Sequence, residues 1–552
     1  MIIICKFKKK IKLTYRKDVL TMKKRILTIG LVAALGATML AGCGGGEKTS
    51  GGAKKTLTVE VFERGNAPSN GETVDNNRWT KWINEKFGAP NNIEVKFQPI
   101  QRAQEVEMLN ILMASKQAPD IIFTYDRSIY TNFAQQKGLT ELSSIIDEHG
   151  KELKSFLGNG LDAMKIDGKL YGVTAKKAYS GQFISYVRQD WLDKLGMKVP
   201  TNPDEVYEML KVFKEKDPDG VGKENMIGIP LVANSFSREE WQQQTLHAVW
   251  AFVEPMSKKD FYTLPQLKYP GYKEGVRYLN KLYNEGLIDR DFAFQDDNKK
   301  MDEHIAAGRT GFFTRDINVG VNATGCVGTL MKNNPNAKLV ACSPFNNKNG
   351  ISPKRLSPVT AFYIMVPSFS KSADEAVKYL NWMADPDVGF NLMFGEEGEH
   401  YELVDGIPVV IDAEHNKLTK WNNLDLSIIY NGTDYGSAEN YYNSFKVTDK
   451  EFGELKEQGS RLGAEYGYYD PHYTSILDAE NKYRSTLNKK YQEIMIKSII
   501  ESPENFDAVY DSLTEEYMTI GGQEVYEEKC VAFDEGKYLD FEEDGLYVPY
   551  TK

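Results

Sequence analysis

Alternating apolar positions at Leu57, Val59 and Val61 predict a strand, and Ile93, Val95 and Phe97 predict a second. Between them Asn77 is placed to cap a helix whose inward face carries Trp79, Trp82, Ile83 and Phe87, with Gly88 as its stop. Val106, Leu109 and Leu112, with Met113 beside them, mark another helical face that Pro119 ends, and Ile121-Ile122-Phe123 forms a short buried strand. This βαβαβ order predicts a doubly wound sheet.

The same alternation of periods continues down the chain. Gln182 to Val187 predicts a strand, and Trp191, Leu192 and Leu195 a short helix closed by Gly196. Thr201 or Asn202 can cap the next helix, where Pro203, Asp204 and Glu205 suit the first turn and Val206, Leu210 and Phe213 face inward. A helix after Pro270-Gly271 presents Val276, Leu279, Leu282 and Tyr283, and Gly311-Phe312-Phe313 begins a strand. Ala361 to Val366 is again strand, followed by a helix carrying Ala376, Val377, Leu380 and Met383 before Pro386. The tail from Tyr483 to Phe533 reads as helical and is expected to wrap a lobe. At 552 residues the chain is long enough for two or more lobes, so function belongs between them.

Charge changes the picture mainly at the N-terminus. The first 42 residues hold ten basic side chains and one acid, Asp18, so the remaining 58 basic and 77 acidic side chains leave the body at −19. A surface that acidic repels phosphate backbones, which argues against a nucleic-acid partner. From Met22, Lys23-Lys24-Arg25 precedes an uncharged run, Ile26 to Leu40, and then Ala41-Gly42-Cys43. The run is 15 residues, against roughly 20 needed to span a bilayer, and small residues precede the cysteine. Residues 1–42 are therefore expected to be a secretory signal, Cys43 a lipidation site, and 43–55, rich in glycine, a flexible tether. Removing Cys5 and lipidating Cys43 leaves Cys326, Cys342 and Cys530, which form no disulfide framework; buried free thiols are preferred over a Cys326–Cys342 bridge.

Several segments carry a resemblance. The lipobox, the stretch Arg188-Gln189-Asp190-Trp191-Leu192-Asp193-Lys194-Leu195-Gly196 leading to Pro200, the turn Leu282-Tyr283-Asn284-Glu285-Gly286-Leu287-Ile288, and Phe394-Gly395-Glu396-Glu397-Gly398-Glu399-His400-Tyr401 together resemble extracellular solute-binding proteins of family 1, the lipoprotein group of carbohydrate ABC importers in Gram-positive bacteria. That resemblance implies an α/β, two-lobed periplasmic-binding-protein-like (type II) fold with a hinge of several chain crossings and a helical C-terminal region. It places the N-terminal lobe at 56–180 and 360–440, and the C-terminal lobe at 181–359 and 441–552. It further implies a monomer on the outer face of the cytoplasmic membrane, serving permease subunits driven by a separate ATPase, with no catalytic residues.

In open α/β sheets ligands gather beyond the carboxyl ends of strands, which nominates Glu63, Arg64, Tyr125, Asp126, Arg315 and Asp316, with Tyr179 near the first expected crossing. A sugar needs an apolar ring against its C–H face and charged groups for its hydroxyls. Trp241, beside Gln242 to Gln244, is the preferred stacking platform, with Trp250 behind it; Trp79, Trp82 and Trp382 belong to the core. Tyr363 and Trp421 are further cleft candidates, and the resemblance adds Glu396 and His400. Arg64 and Arg315 would permit a uronate without requiring one.

Asp217 to Asn225 resembles an EF-hand-like loop with Asp217, Asp219 and Asn225 as ligands, but Val221 offers no side-chain oxygen and Gly228 stands where a bidentate carboxylate would close it. A plain turn is preferred over calcium, and no cofactor is required. The competing readings are a surface-tethered glycoside hydrolase or polysaccharide lyase, and a glycan-binding sensor or adhesin. HExxH, GxSxG and GxxxxGK[ST] are absent from the sequence.

Overall fold

The computed structural model describes residues 54–177, 181, 183–236, 246–295, 297–542 and 546–550. The first strand, Lys55–Glu63, pairs in parallel with Ile93–Gln101 in the register Leu57↔Val95. On its other side a parallel bridge joins Val59 to Ile121, just ahead of strand Ile122–Thr124. Two antiparallel partners follow, Tyr363–Met365 and then Gly172–Thr174, with Ile364 opposite both Phe123 and Val173. The strand at 363–365 returns from far along the chain, so this lobe is discontinuous in sequence. Lys55–Glu63 is central and covered on both faces, so Glu60 and Phe62 are buried along with Leu57, Val59 and Val61.

Local chemistry explains the helices. Asn77 accepts from the backbone N–H groups of Trp79 and Thr80 in a capping box, as expected. Gly88 does not stop this helix; the turn widens over Asn84–Gly88, continues through Ala89–Asn91, and ends at Asn92 in the left-handed region. The helix Glu105–Ser115 likewise ends at left-handed Lys116, before Pro119 can act. The Asn202 side chain accepts from Glu205 N–H and starts Pro203–Lys216.

The second lobe has a three-stranded antiparallel sheet with Phe183–Arg188 between Leu339–Cys342 and Phe312–Asp316. The tail supplies the helices Asp478–Ile500, Phe506–Tyr517 and Gln523–Asp534, whose apolar faces pack on Tyr272–Asn284 and its neighbours. One hydrophobic core draws on residues between Leu57 and Ala175 and between Phe362 and Tyr430. Separate cores draw on Ile184 to Phe345 and Tyr441 to Tyr550. Where the chain passes between them, Lys176–Lys177 runs parallel to Tyr430–Asn431, and Lys354–Arg355 parallel to Gly467–Tyr468. At the first passage Gly181, at φ +77°, lies so close to Gly463 that a Cβ on either would collide with the other's carbonyl. The three described cysteines are free, two of them buried.

Candidate functional site

A cavity of about 890 Å³ lies between the lobes. That volume is in the upper part of the range of about 300–1,000 Å³ typical of small-molecule sites, which suits a ligand of several rings. The first lobe contributes the ends of its strands: Arg102 and Glu105 after the second, Thr124, Tyr125 and Asp126 after the third, and Arg127 opening the next helix. The linking segment brings Arg355, and the returning strand Tyr363–Met365 of the first lobe brings Tyr363. The second lobe adds Tyr262, Tyr269, the run Tyr469-Asp470-Pro471-His472, Arg484 and Lys529.

Each wall is built from its own hydrogen bonds. Tyr125 is 42% exposed, stacks on Phe62 with ring centres 6.1 Å apart, and meets Phe362 at 5.1 Å. The Arg102 guanidinium lies 4.7 Å from the Tyr125 ring centre and 4.9 Å from that of Phe62, and binds Glu105 at 2.7 Å. Burial raises the Glu105 carboxyl above its ordinary range in spite of Arg102. Behind it Glu60 accepts from Phe123 N–H at 2.8 Å, and burial pushes its carboxyl well up. Asp126 accepts from the N–H and the hydroxyl of Ser128, capping the helix Arg127–Gln135. On the far wall Arg355 holds Asp470 through Nε at 2.8 Å and Nη2 at 2.6 Å. The lobes touch beside the cavity: Arg127 donates to the Tyr473 carbonyl at 2.7 Å, and Gln135 to Asp478 at the same distance.

Of the residues nominated from sequence, Tyr125, Asp126 and Tyr363 line this cavity. Tyr363 is buried and stacks on Tyr130 at 5.3 Å. Tyr179, Trp241 and Cys43 lie outside the described residues. The others have different partners. Arg64 makes a two-pronged pair with Asp425 at 2.8 to 3.0 Å, and Glu63 accepts from Gly65 N–H. Arg315 is buried inside the second lobe against Asp302, and Asp316 accepts from the N–H groups of Asn318 and Val319, closing the turn after its strand. Strand ends served as the guide, but this strand ends within its own lobe. Trp250 is 1% exposed and packs between Tyr468 and Tyr269, which makes it core. Trp421 donates to Glu72 at 3.0 Å on the first lobe.

Glu396 and His400 belong to a polar knot apart from the cavity. Arg78 binds Glu396 and Glu399, His415 lies 3.2 Å from Glu399, and fully buried His400 accepts from Glu396 N–H through Nδ1. Glu399, His400 and His415 are close enough to share an ion. However, Nδ1 as acceptor leaves the proton of a neutral ring on Nε2, and Arg78 already neutralises Glu399.

The Asp217–Asn225 loop is similarly occupied. Asp217 accepts from the N–H groups of Val221 and Gly222, and Asn225 donates to the Val221 carbonyl. Asp219 faces Arg188 at 2.9 Å, Trp191 Nε1 at 2.9 Å and Asn334 at 3.1 Å. A guanidinium therefore supplies the positive charge beside Asp219, and the set does not fit a divalent cation in this arrangement.

Residues 70–389 match the family model for the bacterial extracellular solute-binding protein. The chain belongs to that family. It is a family of binding proteins, not enzymes. Lipoprotein LipO of Bacillus subtilis (strain 168) is 24% identical over 406 residues, covering 72% of this chain and 78% of LipO. The polygalacturonan/rhamnogalacturonan-binding protein YtcQ of the same strain is 23% identical over 532 residues, 93% of this chain and 99% of YtcQ. The solved structure of an HMO-binding, ABC-transporter-associated solute-binding protein from Bifidobacterium longum infantis aligns with 88% of this chain and 100% of its own at a TM-score of 0.64 and 19% identity. That likeness establishes the two-lobed solute-binding fold.

Sequence reasoning missed Arg102, Glu105, Arg127, Arg355, Asp470 and Arg484. The compact run Gly467-Tyr468-Tyr469-Asp470-Pro471-His472-Tyr473 carried a usable signal, since phenols, a carboxylate and an imidazole there surround a proline within a chain otherwise reading as helix. Arg484 carried none, because it sits on a helix whose face is assigned only by packing.

Proposed function

We propose that this solute-binding protein captures an oligosaccharide between its lobes and passes it to the permease subunits of an ABC importer driven by a separate ATPase. The observation that carries this reading is the interlobe cavity itself, where phenol rings and charged side chains from both lobes face a space large enough for several sugar rings. The names of YtcQ and of the Bifidobacterium protein, which bind glycans, support the ligand class. Cys43 would carry the lipid that holds the protein on the outer face of the cytoplasmic membrane. The lipobox and the name of LipO support the anchor, and among the described residues no helix is long and apolar enough to cross a membrane.

Ligand capture selects the closed arrangement of the lobes, and the bonds of Arg127 and Gln135 to the second lobe stand where closure would be read out. No cofactor is required in this reading; the Asp217–Asn225 loop works as a turn clamped by Arg188. Thermal denaturation of the purified protein against neutral and acidic oligosaccharides, with product analysis of each mixture, tests the proposal. Binding at a hundredfold excess over Kd should add about 2.7 kcal/mol of stability and leave the sugar intact. Cleaved sugar, or no stabilisation by any oligosaccharide, would overturn it.

A further inference from the structure

Among the described residues, the ion pairs around the cavity leave two cations over. Its four described carboxylates all have partners in the wall: Glu105 binds Arg102, Asp470 binds Arg355, Asp126 caps its helix, and Glu480 lies 3.6 Å from Lys529. Two cavity guanidiniums, Arg127 and Arg484, make no ion pair among the described residues. Arg127 gives one N–H to the Tyr473 carbonyl, which orients its fork without neutralising it.

That is unusual for this chain, which carries a net charge of −10 and has acids available everywhere. Eight of its twelve described arginines are paired with a carboxylate: Arg64, Arg78, Arg102, Arg188, Arg277, Arg315, Arg355 and Arg461. Four are not, and two of those four face the cavity, one from each lobe. Both are half-buried, and a guanidinium held partly out of water is most favourable opposite a planar, two-oxygen anion. The arginines expected from sequence to play this part, Arg64 and Arg315, are already committed to Asp425 and Asp302.

Resting on the oligosaccharide reading above, we infer that the cavity takes an acidic oligosaccharide, with ring carboxylates of uronate units held by Arg127 on the first lobe and Arg484 on the second. The phenols then stack against the sugar faces while each lobe grips one anionic group. Closing the lobes brings the two guanidiniums onto one chain of sugars, so the charge pattern selects both the acid and its length.

Isothermal titration of the purified protein with oligogalacturonates and oligoalginates, their carboxyl-reduced neutral counterparts, and a sulfated oligosaccharide tests this. The uronates should bind, their affinity should fall as salt rises, and carboxyl reduction should weaken binding about tenfold or more. Arg127→Gln and Arg484→Gln should each weaken uronate binding about tenfold while Arg→Lys retains part of it. The comparison of acid with reduced ligand needs no variant, so it stands even if one fails to fold. Neutral oligosaccharides binding as tightly as uronates, or only the sulfated sugar binding, would overturn the uronate assignment and leave oligosaccharide capture intact. No binding by any sugar would overturn both.

Discussion

Arg188 and Arg484 are the same side chain in the same lobe, yet they are set to opposite uses. Arg188 is fully buried, makes a two-pronged pair with Asp190 at 2.5 and 2.7 Å, reaches Asp219 at 2.9 Å, and lies 4.7 Å from the Trp191 ring centre. Burial works against the charge of Asp190, but the Arg188 hydrogen bonds still leave that carboxyl below its ordinary value. Arg484 faces the cavity and makes no ion pair among the described residues. Satisfied inside the lobe, a guanidinium holds structure together; left unsatisfied at a cavity wall, it is available to a ligand.

The comparison breaks most visibly at Arg188. Arg188→Met would strip two partly exposed carboxylates, Asp190 and Asp219, of the buried cation that holds them, and urea denaturation should show a loss of about 2–3 kcal/mol. Calcium should not restore it, and neither calcium nor a chelator should shift the melting temperature of the unaltered protein. Restoration by calcium would mean that the loop accepts the ion once the guanidinium is gone.

Buried bases sharpen it next. Burial, with Lys354 nearby, pushes the His247 imidazole from 6.5 down to about 3. Between those values the unfolded chain binds a proton that the folded one refuses, so stability present above pH 6.5 is lost as pH falls, by up to about 1.4 kcal/mol per pH unit. The gap in urea midpoint between pH 7 and pH 5 should narrow in His247→Gln. An unchanged gap would show that this ring takes its proton in the folded state.

Smaller effects belong to exposed charges. Removing Arg64 from its pair with Asp425 should cost no more than about 1 kcal/mol, because solvent screens a partly exposed pair. Arg484→Gln should move stability by less than about 0.5 kcal/mol while changing uronate affinity. A large stability loss at Arg484 would place it with Arg188 as a structural cation and remove it from the ligand site.

Sequence patterns located elements well where the cause was local. Asn77 and Asn202 cap their helices because the capped N–H groups lie two or three residues away. Tyr125 and Asp126 reach the cavity because a strand end is set by the strand itself. Helix ends are less legible: Asn92 and Lys116, both in the left-handed region, stop helices for which the sequence pattern nominates Gly88 and Pro119.

What the sequence determined by itself was therefore the order of strands and helices, the lipobox, the excess of acid in the body, and the family resemblance, all written in neighbouring residues. Only the tertiary structure decided which charges are spent and which remain free. Arg64 meets an aspartate 361 residues away, and Arg355 one 115 residues away. Arg315 finds its partner on the helix before its own strand. Among the described residues Arg127 and Arg484 form no ion pair, because Asp126 turns to the Ser128 N–H and Glu480 lies against Lys529. Charge pairing depends on distance in space, and chain separation does not encode it.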